Sequence, residues 1–296
     1  MSKYAILIIL FLTFTSAVFG KVAIVTSTSD LKSIAEMIGG DLVTVESLNK
    51  GASNPHSVET LPSYMLKVGK ANLYCKIGLD LDSWAAPIID GSRNGKLVVV
   101  DCSRNVPVLE KPTQKVDASM GDVHPLGNPH YWLDPNNGLV IADNILEGLI
   151  SVDPANAETY RKNRDAFAAK LNQKIAEWKS VAAKLQGTEI VTYHDSWPYF
   201  ANAFGIKVDG FVEPRPGIEP TPSHTAEIIE LVKKRQIKMI CMEPYFSDRA
   251  PKTIARETGA KVVILPPSVG GAAGADDYFS LFDTILKILS EGQGDR

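Results

Sequence analysis

Three histidines stand far apart in the chain, at His56, His130 and His194, and two of them end the same tripeptide, Asn-Pro-His, at Asn54–His56 and Asn128–His130. Proline fixes its own φ and restricts the residue before it, so each of these two imidazoles sits on a stiff backbone base. The chain has only five histidines, so two copies of a motif that each carry one are informative. A single imidazole is more often structural or solvent-facing than a ligand. Three of them, placed after strand ends or at the crossover between two halves of the chain, point together to a transition-metal site, with Glu243 as a carboxylate partner. Three neutral imidazoles and one carboxylate suit tetrahedral Zn²⁺. Ligand type alone leaves Mn²⁺, Fe²⁺, Ni²⁺ and Cu²⁺ open. Asp134, Asp195 and Glu219 could orient the imidazoles, although a helix cap or a surface charge is the simpler role for each. His124, in an aperiodic loop, is expected to be a solvated side chain, with a weak auxiliary metal contact as the sharper reading. His224, in the first turn of a helix, is expected to be exposed.

The elements that must position these residues follow from hydrophobic periodicity. Short β-branched runs alternate with amphipathic segments, which implies parallel βαβ units with the sheet covered on both faces. Strands are predicted at 21–28, 42–48, 73–78 and 96–103, with helices at 29–38, 60–71 and 80–89. Residues 104–128, rich in Pro, Gly and Asp, read as a surface loop closing the first half. The tract Asn128-Pro129-His130-Tyr131-Trp132-Leu133-Asp134-Pro135 follows, then a helix over 136–151. Asp153 and Pro154 are placed to cap and open a longer helix running to Gln186, roughly 32 residues and about 48 Å. After Gly187 the alternation resumes, with strands at 188–193, 206–212, 237–242 and 261–265 and helices between and after them. The fold is therefore expected to be α/β with two lobes: an N-terminal lobe over 21–135, linking helices over 136–186 and a C-terminal lobe over 187–296. Ligands of open parallel sheets bind beyond the carboxyl ends of the strands. His56, His194 and Glu243 all follow strand ends, and His130 lies in the crossover.

Composition narrows the function class. A net charge of −3 with no basic stripe gives no field for nucleic acid. Residues 1–20 carry Lys3, an apolar run from Tyr4 and a small residue at Gly20, which reads as a cleaved signal peptide with Lys21 first in the mature, periplasmic protein. No cysteine stands at that cleavage point, so a lipid anchor is not expected. Cys75, Cys102 and Cys241 lie in apolar strand patterns and read as small buried hydrophobes, with a Cys75–Cys102 bridge as the alternative. HExxH is absent. A three-histidine site with an open position would also describe a zinc metallohydrolase, but no other general-base constellation accompanies it, so no enzyme is expected. A surface adhesin is the remaining class and lacks an attachment signal.

The Asn-Pro-His loop, NPHYWLDP, the long helix, YHDSWPYFANAFG and EPTPSHTAEIIELVKKRQIKMICMEP together resemble the metal-specific solute-binding proteins of ABC transporters, the zinc-uptake or cluster A-I type. The likeness spans nearly the whole mature chain. It implies two α/β lobes joined by a rigid linking helix, with metal held in the cleft between them and delivered to a membrane permease. It also implies ligand roles for His56, His130 and His194, and a monomeric carrier of Zn²⁺ or, in the same family, Mn²⁺ or iron. Loading by a periplasmic metallochaperone stays open. Two departures stand out. The segment 115–127 holds only His124, whereas many zinc members carry a long His/Asp-rich loop. The aspartate that the family places after the last strand is replaced here by Leu265-Pro266-Pro267-Ser268, so Glu243 is expected to take its place, with water, Asp276 or Asp277 as alternatives.

Overall fold

The computed structural model describes residues 20–114 and 124–294. The signal-peptide reading, apart from Gly20, and most of the 115–127 loop lie outside the described residues. Two four-stranded parallel sheets form. The first contains β1 (Val22–Thr26), β2 (Val43–Ser47), β3 (Leu73–Lys76) and β4 (Val98–Asp101) in the order β2-β1-β3-β4. The second contains β5 (Glu189–Thr192), β6 (Lys207–Phe211), β7 (Met239–Met242) and β8 (Lys261–Ile264) in the equivalent order β6-β5-β7-β8. The strands are the β-branched runs, shortened by up to two residues at either end. Gly40, Gly205 and Gly259 stop α1 (Ser29–Gly39), α6 (Pro198–Phe204) and α8 (Arg249–Thr258), each with positive φ that glycine adopts freely.

The helices α2 (Pro62–Gly69), α3 (Ala85–Ser92), α4 (Asn137–Val152), α5 (Ala157–Ala182), α7 (Pro222–Arg235) and α9 (Tyr278–Gln293) complete the layers. The expected 32-residue helix is shorter. Pro154–Asn156 forms a 3₁₀ turn and α5 ends at Ala182, leaving 26 residues, or about 39 Å. Asp153 does not cap the backbone. Its Oδ2 accepts from Asn156 Nδ2 and Tyr160 Oη, 2.8 and 2.7 Å away, which ties up the side chain.

The buried stripe of α5, from Tyr160 through Phe167, Leu171, Ile175 and Trp178, serves both lobes. Asn163 Nδ2 donates to the Ile38 carbonyl of α1 at 2.9 Å, and Trp178 Nε1 donates to Asp283 of α9 at 2.7 Å. Among the described residues, the largest of three buried hydrophobic clusters runs from β1 and α1 through α4 and α5 to β8 and α9. The lobes are therefore joined by shared side-chain packing as well as by chain connection. The three cysteines are buried and free, as small apolar side chains.

Candidate metal centre

Three of the four groups singled out for metal binding follow strands, and the fourth lies in the crossover between the lobes. His56 sits on the turn after β2, His194 follows β5, Glu243 follows β7, and His130 immediately precedes a 3₁₀ turn over Tyr131–Leu133. The two Asn-Pro-His copies fold alike. Asn54 Oδ1 accepts from the His56 backbone N–H at 2.9 Å, and Asn128 Oδ1 accepts from the His130 N–H at 3.0 Å. The asparagine is thus as necessary as the proline, because its side chain closes the turn that presents the imidazole.

The crossover tract is gripped from both lobes. Tyr131 Oη donates to the Ile77 carbonyl beyond β3 at 2.8 Å, and Tyr199 Oη of α6 donates to the Asn128 carbonyl at 2.9 Å. The Trp132 carbonyl accepts from Tyr278 Oη of α9 at 2.7 Å. His130 is held in this seam.

His56, His130 and His194 each offer one ring nitrogen, all within 4.8 Å of one another. The Nε2 atoms of His56 and His130 lie 3.0 Å apart. A tetrahedral zinc with 2.0–2.1 Å bonds spaces its nitrogen ligands about 3.3 Å apart, so this separation suits two nitrogens on one ion. Hydrogen bonds set which nitrogen faces inward. His130 Nδ1 donates to Asn128 Oδ1 at 3.0 Å, and His194 Nδ1 donates to Glu213. Both Nε2 atoms therefore face the centre of the cluster, where that of His130 meets the His56 Nε2. Glu213 is itself held, accepting on Oε2 from the Gly217 N–H at 3.1 Å.

Electrostatics divides the three imidazoles. Burial pushes His56 and His130 well below the usual histidine range, and the neighbouring imidazoles push them further. Burial also pulls His194 down, but the hydrogen bond and charge of Glu213, joined by Glu243 and Asp195, outweigh it and leave its pKa raised. At neutral pH the cluster therefore offers at least two neutral imidazoles, the form a metal requires.

Glu243 is fully buried but stands outside the three-imidazole set. Its Oε1 accepts from Trp197 Nε1 at 2.9 Å, the Ser196 hydroxyl adjoins the carboxylate, and burial raises its pKa in spite of both. Asp277 caps α9 by accepting from the Phe279 and Ser280 amides, and Asp276 is exposed. The Pro267 carbonyl accepts from Trp132 Nε1 at 2.8 Å.

The remaining acids separate. Asp134 accepts from the backbone and side chain of Asn136, a local turn role. Asp195 lines the cleft of about 250 Å³ beside the cluster, together with Glu110, His124 and Asn128. Its pKa is pushed up to about 7 by burial and then by the charge of Glu110. Glu219 lines a separate cavity with Tyr193 and Arg249. His124 is not a solvated side chain: it is half-buried, its ring 5.1 Å from that of His56. It lines the cleft with Asp195, a placement that a lack of periodicity does not reveal. His224 is also half-buried, its Nε2 donating to the Phe211 carbonyl at 3.0 Å.

Glu213 is the site residue that sequence reasoning missed. It directly follows the strand predicted at 206–212, so the rule that selected His194 and Glu243 would also have selected it. A β-bulge decides its position. Ile190 pairs with Val208 but Val191 pairs with Gly210, and the extra residue in β6, continued past Thr192–Phe211, sets Glu213 rather than Val212 beside His194.

Among known proteins, a family model described as the periplasmic zinc-uptake complex component A, ZnuA, matches residues 24–292. The iron-binding protein YfeA of Yersinia pestis is 26% identical over 280 residues, spanning 93% of this chain and 87% of that protein. The manganese ABC transporter substrate-binding lipoprotein ScaA of Streptococcus gordonii is 28% identical over 291 residues, spanning 94% and 91%. A crystal structure of ZnuA superposes with a TM-score of 0.81 at 26% identity, covering 93% of this chain and all of that one.

Proposed function

Because the chain belongs to the ZnuA family of metal-binding components of ABC transporters, which are binding proteins rather than enzymes, we propose that it captures zinc outside the cytoplasm and hands it to a membrane permease. Three imidazoles, two of them with Nε2 turned inward by Glu213 and Asn128, carry the reading. Nitrogen-rich sites suit zinc, whereas manganese favours carboxylate, carbonyl and water oxygens. In this reading His56, His130 and His194 are ligands. Glu243 supplies the fourth position, supported by its complete burial after β7 and by its charge acting on His194. The protein works as an exported monomer, mature from Lys21, with lobes over 21–135 and 187–296 and linking helices over 136–186.

The mechanism is capture and release without covalent change. Neutral imidazoles replace water on the ion. The shared core and α5 resist wide hinge opening, so exchange proceeds through local movement at the cleft.

The test is calorimetric titration of Zn²⁺ into metal-free protein (residues 21–296), with Mn²⁺ as competitor. One tightly bound zinc that excess manganese does not displace supports the proposal. Displacement by manganese would overturn the choice of zinc, and absence of binding by either ion would overturn the site. Retention of full zinc affinity in Glu243→Ala would remove Glu243 from the ligand set.

A further inference from the structure

Where the family resemblance places a ligating aspartate, this chain carries the loop 265–275, and that loop is bound to the opposite lobe. The Val269 N–H donates to Asp30 Oδ1 at 2.9 Å, and Ser29 Oγ donates to the Val269 carbonyl at 2.6 Å. Both acceptor and donor belong to the first turn of α1 in the first lobe, whose N-terminal dipole favours the carboxylate. Gly51 makes room for the contact: a Cβ there would stand 1.9 Å from the Val269 carbonyl oxygen. From Val269 the contacts lead to the metal centre, through the Pro267 carbonyl on Trp132 Nε1 and the Trp132 ring 5.3 Å from that of His130.

We propose that Asp30 is a positioning residue for metal retention, holding the 265–275 loop across the lobe seam so that the cleft is kept closed by protein contact where the aspartate ligand is missing. The inference rests on the metal-carrier reading.

Asp30 is fully buried and has no ion-pair partner among the described residues. An apolar residue would fill the same space without desolvation of a charge, so its presence calls for a directional role, and the Val269 amide is that direction. The Thr28 and Ser268 hydroxyls, one from each lobe, adjoin the same carboxylate and favour its charged form, so Asp30 is a polar junction between the two sides of the seam.

The test compares wild type, Asp30→Ala and Asp30→Asn as full mature chains. Zinc dissociation into a chelator and association are followed by stopped flow, and amide exchange at Val269 is measured in metal-free protein. Asp30→Ala is expected to speed zinc dissociation at least tenfold, leave association within about twofold, and lower Val269 protection at least tenfold. Asparagine keeps the acceptor oxygen for Val269 in the same shape, so Asp30→Asn is expected to dissociate no faster than wild type. Leu289→Ala, a core change far from the seam, is expected to lower Tm without altering dissociation. Unchanged Val269 protection in Asp30→Ala would show that no latch exists. Loosened Val269 with an unchanged dissociation rate would show a latch that does not retain metal. Either overturns the proposal, as would Asp30→Asn behaving like Asp30→Ala. Should wild type hold no zinc, manganese replaces it as the probe. Should it hold neither, the carrier reading falls and the retention role with it, while the exchange data still report on the latch itself.

Discussion

Replacing Glu213 probes the electrostatic core of the site. Its carboxylate is 3% exposed, accepts from His194 Nδ1 on one oxygen and from the Gly217 amide at 3.1 Å on the other. In Glu213→Ala both donors lose their acceptor, and the imidazole loses the bond that commits Nε2 to the metal. Partners of this kind are typically worth 10–100-fold in metal affinity, which corresponds to about 1.4–2.7 kcal/mol. Glu213→Gln keeps an acceptor oxygen but not the charge, so its loss at pH 7.5 should stay below about tenfold. The two variants also separate in pH dependence. Glu213 is the main reason that the pKa of His194 is raised, so removing its charge lets His194 lose its proton more readily. Zinc affinity of Glu213→Gln should then fall less between pH 7.5 and pH 6.0 than that of wild type. Competition against a chromogenic chelator at the two pH values measures both quantities. The reasoning is refuted if folded Glu213→Ala binds zinc within twofold of wild type at pH 7.5, or if Glu213→Gln shows the steeper decline.

Acidification of the wild type should release zinc in a process led by His194. Its raised pKa means protonation begins above the ordinary 6.5, whereas His56 and His130, held low by burial, stay neutral until well below it. Proton uptake on zinc release, measured in buffers of different ionisation enthalpy, should approach one per ion near pH 6.5, and uptake of three would contradict this division. Gly51→Ala places a Cβ 1.9 Å from the Val269 carbonyl oxygen and 2.7 Å from the Gly271 amide nitrogen. Backbone on both sides must shift, at a cost of about 1–3 kcal/mol, seen as a Tm several degrees lower; a Tm within a degree of wild type would show that the seam yields freely. Leu171→Ala empties a position against α4 at Gly138, beside the point where Tyr278 of α9 also packs. It should destabilise by about 2–5 kcal/mol. Because the core is shared, denaturant unfolding should remain one transition, and two separable transitions would show that the lobes fold independently.

The sequence by itself determined the two α/β halves, the glycine stops and the three imidazoles. Each depends on local chemistry: β-branched runs make strands, a 3.6-residue apolar stripe makes α5, and Asn-Pro-His builds the same turn wherever it occurs. The two ends of α5 were not legible, because Leu185 continues the stripe beyond the helix and stays buried in the turn that follows. What the tertiary structure decided are relations between distant segments. His194 and Glu213 meet because β5 lies beside β6 and a bulge advances the register by one residue. His124 lines the cleft with its ring 5.1 Å from that of His56, which stands far from it in the chain. Asp30 finds Val269 across 239 residues because α1 and the 265–275 loop face each other over the seam. Periodicity carries no information about such pairings, since neither partner's neighbours in the chain specify the other. They arise only when the shared core brings two sheets to a common edge, and that is where the ligands acquire their orientation.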